Sequence, residues 1–264
     1  MRHLLLALLL TTGLARAADL TLELPGGTRT LSTAELLAHP QAQEVRIPQD
    51  VAYKRAMTYR AVPLAALLPG VAPEQHMQAV AADGFAAELS AAPLLAREGA
   101  RAWLAVEDPA KPWPGLAKDK PSAGPFYLVW TAPEAGGISP EQWPFQVVKI
   151  RALASVAERF PALLPASDAS ADVQAGFALF QKNCLACHRL NGAGDAQFGP
   201  DLNLPYNPTE YFAEGFLQRY IRDPQSLRRW PEARMPAFPA QVIDDAQLEQ
   251  LVAYLRHMSG RKAP

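Results

Sequence analysis

Cysteine is almost absent from this chain of 264 residues: Cys184 and Cys187 are the only two, with two residues between them. A disulfide framework is thereby excluded as the source of stability, and one local motif must account for both thiols. An excess of either charge is missing too, with 25 Lys and Arg against 26 Asp and Glu. Composition therefore points to no nucleic-acid partner and no anionic membrane surface. No apolar run approaches the roughly 20 residues of a membrane-spanning helix. The leucine-rich run Leu4 to Leu10 is short, follows Arg2 and His3, and is succeeded by Ala15-Arg16-Ala17. That is the pattern of a signal peptide cleaved after Ala17. Residues 1–17 are expected to be removed, leaving a periplasmic protein with no integral membrane segment.

What is present is apolar: 49% of the residues are hydrophobic, enough to build two cores, and the length suits two domains. Phe160 to Asp172 is rich in proline, alanine and serine without a helical period, so 161–171 is read as a linker. Residues 18–160 read as an α+β domain. Thr21 to Leu24 and Thr28 to Leu31 flank Pro25-Gly26-Gly27, a hairpin pattern. Ser32 with Glu35 forms a capping box for a short helix that stops before Pro40. Strands are expected at Met77 to Ala81, Phe85 to Leu89, Ala102 to Val106, Phe126 to Trp130 and Gln146 to Ile150. Short helices are expected at Pro63 to Leu68 and Ala92 to Arg97.

Residues 172–264 carry a different pattern. Val173 to Asn183, Pro208 to Arg222 and Asp245 to Met258 have helical spacing, and strand signals are absent. The first of these helices runs into Cys184-Leu185-Ala186-Cys187-His188, the attachment sequence for haem c. Two thiols three positions apart on a helical turn reach two vinyl groups of one porphyrin, and the next residue projects an imidazole toward the iron. A zinc half-site would need a second ligand pair, and His39, His76 and His257 lie far away in sequence. A redox dithiol would need a βαβ setting that the helical surroundings do not offer.

With these residues in view, the second domain resembles a class I cytochrome c, an all-α fold holding one covalent haem c. Gly176 and Phe180 lie on one helix face where that family has a glycine and an aromatic, and Leu251, Tyr254 and Leu255 supply the facing helix. Gly199-Pro200-Asp201-Leu202 is similar to the family segment whose proline carbonyl accepts the N–H of the haem-binding histidine. The resemblance implies covalent attachment at Cys184 and Cys187, iron ligation by His188, and a bond from His188 to Pro200. It also implies Met235, in Arg234-Met235-Pro236, as the second axial ligand. Phe180 and Tyr220 are its candidate pocket walls. Outer-sphere electron transfer with periplasmic redox partner proteins is the function implied.

The first domain is similar, over about 60 to 150, to the molybdopterin-binding fold of the sulfite oxidase family. The likeness rests on Val62-Pro63-Leu64, Ala82-Asp83-Gly84-Phe85, Gly124 to Trp130 and Val147 to Ile150. Catalytic members bind molybdenum through a cysteine thiolate. This domain has no cysteine, so no such centre is expected and no catalytic residue is assigned. Two other functions stay open at this level: an oxidoreductase whose first domain binds substrate or pterin, and a subunit or assembly module of a larger respiratory or dehydrogenase complex.

Overall fold

The computed structural model describes residues 18–196, 198–230 and 232–262. The signal segment expected at 1–17 lies outside the described residues. Strands β1 (Asp19–Leu24) and β2 (Gly27–Ser32) form the expected antiparallel hairpin, and Gly27 takes the positive φ that its tight turn requires. Helix α1 (Thr33–Leu37) follows, with the Ser32 and Glu35 capping box in place. The later strands are β5 (His76–Ala81), β6 (Ala86–Ser90), β7 (Arg101–Val106), β8 (Phe126–Thr131) and β9 (Val147–Leu153), within a residue or a few of the sequence reading. Helices α2 (Leu64–Leu67) and α3 (Ala91–Leu95) complete it.

Two strands escaped the sequence reading. In β3 (Gln43–Ile47) only Val45 and Ile47 face inward, because the strand is a sheet edge that exposes Gln43, Glu44 and Arg46. Strand β4 (Met57–Pro63) carries Arg60 on its solvent face and ends in proline, which masks its alternation. The strands make two sheets, β2-β1-β9-β5-β6 and β3-β4-β7-β8. Within the first, β1 runs parallel to β9 and the other pairs are antiparallel. Leu20, Leu22, Met77 and Ile150 of one sheet and Tyr59, Val62, Leu104 and Trp130 of the other belong to a single core.

A second core belongs to the helical part. Helix α4 (Val156–Arg159) buries Val156 in it, and Leu163 follows. The stretch 161–171, expected as a linker, thus joins the domains while lying against the second core. Tyr254 Oη donates to the Leu163 carbonyl at 2.7 Å, and Ala166 N donates to His257 Nε2 at 3.0 Å.

Helices α5 (Ala171–Asn183) and α9 (Asp245–Ser259) cross at the centre of this core. The crossing is tight because residue 176 is glycine. A Cβ there would fall 2.0 Å from the Gln250 carbonyl oxygen and 2.7 Å from Tyr254 Cβ. Gly176→Ala is therefore expected to force the helices apart and to lower stability by about 1–3 kcal/mol, measurable by denaturant unfolding.

The single helix expected from Pro208 to Arg222 is instead two, α6 (Pro208–Tyr211) and α7 (Phe216–Arg222). Phe212 turns extended after α6, and Gly215 takes φ 74° as the cap of α7, so the chain redirects between them. The short α8 (Pro224–Leu227) leads into the Met235 loop. No helix among the described residues is long and apolar enough to cross a membrane.

Candidate functional site

Helix α5 delivers the cysteine motif. Its C-terminal cap is Cys184, and the chain turns once more as Cys187 N and His188 N both donate to the Cys184 carbonyl, at 3.0 and 2.9 Å. Both thiols are unpaired and half-buried, three positions apart in the chain. Burial pushes the Cys187 thiol up to about 12, with Glu141 and Asp83 adding to the effect. Burial likewise raises the Cys184 thiol, again helped by Glu141. Neither sulfur is a thiolate near neutral pH, which distinguishes the pair from a dithiol activated for exchange.

The imidazole that follows is held by the next loop. His188 Nδ1 donates to the Pro200 carbonyl at 2.8 Å. A carbonyl can only accept, so Nδ1 carries the hydrogen, and Nε2 keeps its lone pair with no protein partner among the described residues. Gly199 lies flat on the ring: a Cβ there would come within 2.3 Å of His188 Cε1. Burial holds the imidazole below its ordinary value, with the Pro200 carbonyl and Asp201 acting in the opposite sense. The ring is thus set in the neutral, single-tautomer form of a metal ligand.

The loop is organised by side chains to which the sequence assigned no role of their own. The Asp201 carboxylate accepts the backbone N–H groups of Asn191, Gly192, Asn203 and Leu204 at 2.6–3.1 Å. Asn203 donates to the Met258 carbonyl at 2.7 Å and Asn207 to the Leu255 carbonyl at 2.9 Å, so two buried side chains tie the loop to α9. A sequence signal existed: Asp and Asn among Gly and Pro favour such backbone capture. Their targets lie on a helix far along the chain.

Met235 is partly buried and packs against the second core. The loop around it is anchored on one side, where Phe238 N donates to the Ile221 carbonyl at 3.1 Å and Arg222 donates to the Phe238 carbonyl at 2.9 Å. Phe180 is fully buried, its ring 5.4 Å from that of Tyr254, and Tyr220 packs 5.3 Å from Phe212. Two unpaired thiols on one turn, followed by an imidazole with its Nε2 unclaimed, are a donor set that fits a covalently held haem.

A family model described as cytochrome c matches residues 173–259. That stretch is a cytochrome c domain. The cytochrome c domain carries covalently attached haem c and serves haem-based electron transfer with redox partners. No curated protein matches the chain. Among solved structures, the sulfane dehydrogenase SoxCD from Paracoccus pantotrophus is similar at 18% identity with a TM-score of 0.37. The match covers 52% of this chain and 38% of that chain.

The first domain packs directly on the cytochrome c domain. Asp195, in the loop between His188 and Pro200, accepts from Arg159 and Gln78, both at 2.8 Å. Arg159 also pairs with the buried Glu88 at 2.8 Å, and Glu88 in turn meets His76. Gln78 is braced from behind by Arg151 at 2.7 Å. Beside this polar contact, Phe85 of the first domain packs on Phe198, the neighbour of Gly199, with ring centroids 6.4 Å apart. Lys182 of α5 donates to the Gly137 carbonyl.

Proposed function

We propose that this protein is an exported, periplasmic one-electron carrier. In this reading Cys184 and Cys187 would hold the haem covalently, and His188 and Met235 would ligate its iron. The observation that carries the reading is the His188 to Pro200 hydrogen bond directly after the paired thiols. When bound, the haem supplies a reversible one-electron couple. The chain's part is to orient: Pro200 fixes the imidazole and raises its basicity, and Gly199 leaves the ring room. Met235, on a loop tethered by Arg222, offers a thioether, a soft ligand that favours the reduced iron. With His188 and Met235 both supplied by the chain as iron ligands, little rearrangement would accompany electron gain or loss. The first domain holds the haem loop through Asp195 and presents the cytochrome to its partner.

The test is a redox titration of the purified, full-length protein. A carrier is expected to take up one electron per chain from a small redox protein or mediator. It should not be reduced by a panel of oxidisable small molecules supplied without a partner. Substrate-driven reduction of the haem by the isolated protein would replace this reading with the oxidoreductase one.

A further inference from the structure

The loop that carries Pro200 is held at both ends. Asp195 and Phe198, a few residues ahead of Pro200, both meet the first domain. At the other end Gly199 N donates to the Cys187 carbonyl at 2.8 Å, and Pro200 accepts from His188 Nδ1, also at 2.8 Å. Phe198 and Gly199 are joined by one peptide bond, so their Cα atoms stand about 3.8 Å apart. A shift at Phe198 therefore reaches the residue lying on the imidazole with no slack between.

The anchor is built more firmly than an exposed ion pair, which usually contributes little. Arg159, at the end of α4, uses all three guanidinium nitrogens: Nε donates to the Ala154 carbonyl at 3.1 Å, Nη2 to Glu88 at 2.8 Å and Nη1 to Asp195 at 2.8 Å. Its Cζ also lies 4.7 Å from the centroid of the Phe160 ring. A planar fork engaged on every side has one orientation. Gln78, wholly buried on β5, donates to Glu88 at 2.7 Å and to Asp195 at 2.8 Å, while Arg151 of β9 donates twice to its oxygen, at 2.7 and 2.9 Å. Without Asp195 this buried amide would lose a partner, so the contact forms with the fold and is kept. Phe85 adds a hold on Phe198 that involves no charge.

We propose that Arg159 and Phe85 are positioning residues for His188: through Asp195 and Phe198 they hold Gly199 and Pro200 against the imidazole, so the first domain takes part in setting the haem potential. The proposal rests on His188 being an iron ligand, as described above. Neither residue touches that ligand. Their effect passes through the Nδ1–H bond to Pro200, which fixes the ring and raises its electron donation to iron. Loosening the hold weakens that bond, lowers the donation and leaves oxidised iron less stabilised. The potential must then rise.

The experiment compares Arg159→Gln and Phe85→Ala with the wild type, each as full-length holoprotein. Two quantities are read: exchange of the His188 Nδ1–H proton with deuterium, followed by nuclear magnetic resonance, and the midpoint potential. Exchange should be faster in both variants, by about tenfold in Arg159→Gln, which loses a hydrogen bond between charged groups. Both potentials should rise. The shared sign is decisive, because removing the Arg159 charge by itself favours oxidised iron and lowers the potential, and Phe85→Ala changes no charge. Unchanged exchange in both variants, or a fall in potential in Arg159→Gln beside an unchanged Phe85→Ala, overturns the proposal. Should Arg159→Gln fold poorly, Phe85→Ala decides alone, and wild-type exchange and potential there are equally fatal. A wild type that keeps its haem stain but shows no slowly exchanging Nδ1–H proton refutes the ligand assignment and this proposal with it. A proton that is slow in the wild type and stays slow in the variants removes this proposal only.

Discussion

Met235→Ala is expected to leave the haem covalently attached, abolish the weak near-infrared sulfur-to-iron band of the oxidised protein, and lower the midpoint potential. The fall should be on the order of 0.1–0.2 V, a fraction of the roughly 0.8 V range that axial ligands span. The cause is the loss of a soft thioether that favours reduced iron. Cyanide and carbon monoxide should bind faster, because no sulfur has to be displaced. The loop itself should stay in place, since Phe238 N and Arg222 tether it independently of the Met235 side chain. An unchanged band and potential in this variant, with six-coordination lost in Met258→Ala or His257→Ala, would show the ligand to be on α9. The positions of those two residues oppose that outcome. Met258 is buried in the core and His257 Nε2 already accepts the Ala166 N–H.

The second large effect concerns attachment. In the wild type, haem stain should remain with the polypeptide after denaturing electrophoresis, because thioether bonds do not depend on folding. Cys184→Ser combined with Cys187→Ser should remove all of it, while either single variant keeps one link and a weaker stain. Since these are the only cysteines in the chain, residual stain in the double variant would rule out attachment through thioethers. Stability should fall with the haem as well, because a group that binds only the folded state stabilises that state.

Much of the local structure was legible in the sequence because its causes are local. The Ser32 and Glu35 box, the Pro25-Gly26-Gly27 turn and the long helical periods of α5 and α9 are settled within a few residues of chain. The spacing of Cys184, Cys187 and His188 belongs with them, since a helical turn alone sets their relative positions. The edge strand β3 was not legible, because a sheet edge needs only Val45 and Ile47 to be apolar. The break between α6 and α7 was hidden because apolar spacing continues across Gly215 while the backbone does not.

The sequence by itself determined that a sheet-rich region precedes a helical cytochrome c domain, and which residues of that domain are candidates to bind haem, through composition, periodicity and one pentapeptide. Only the tertiary structure decided how those residues are held and what surrounds them. The partners of the loop after His188 are distant in the chain: Gln78 is 117 residues from Asp195, and Asn203 is 55 from Met258. No local preference encodes such pairs. They arise because burying the apolar faces of two sheets and two crossing helices leaves few ways to satisfy the polar groups trapped between them.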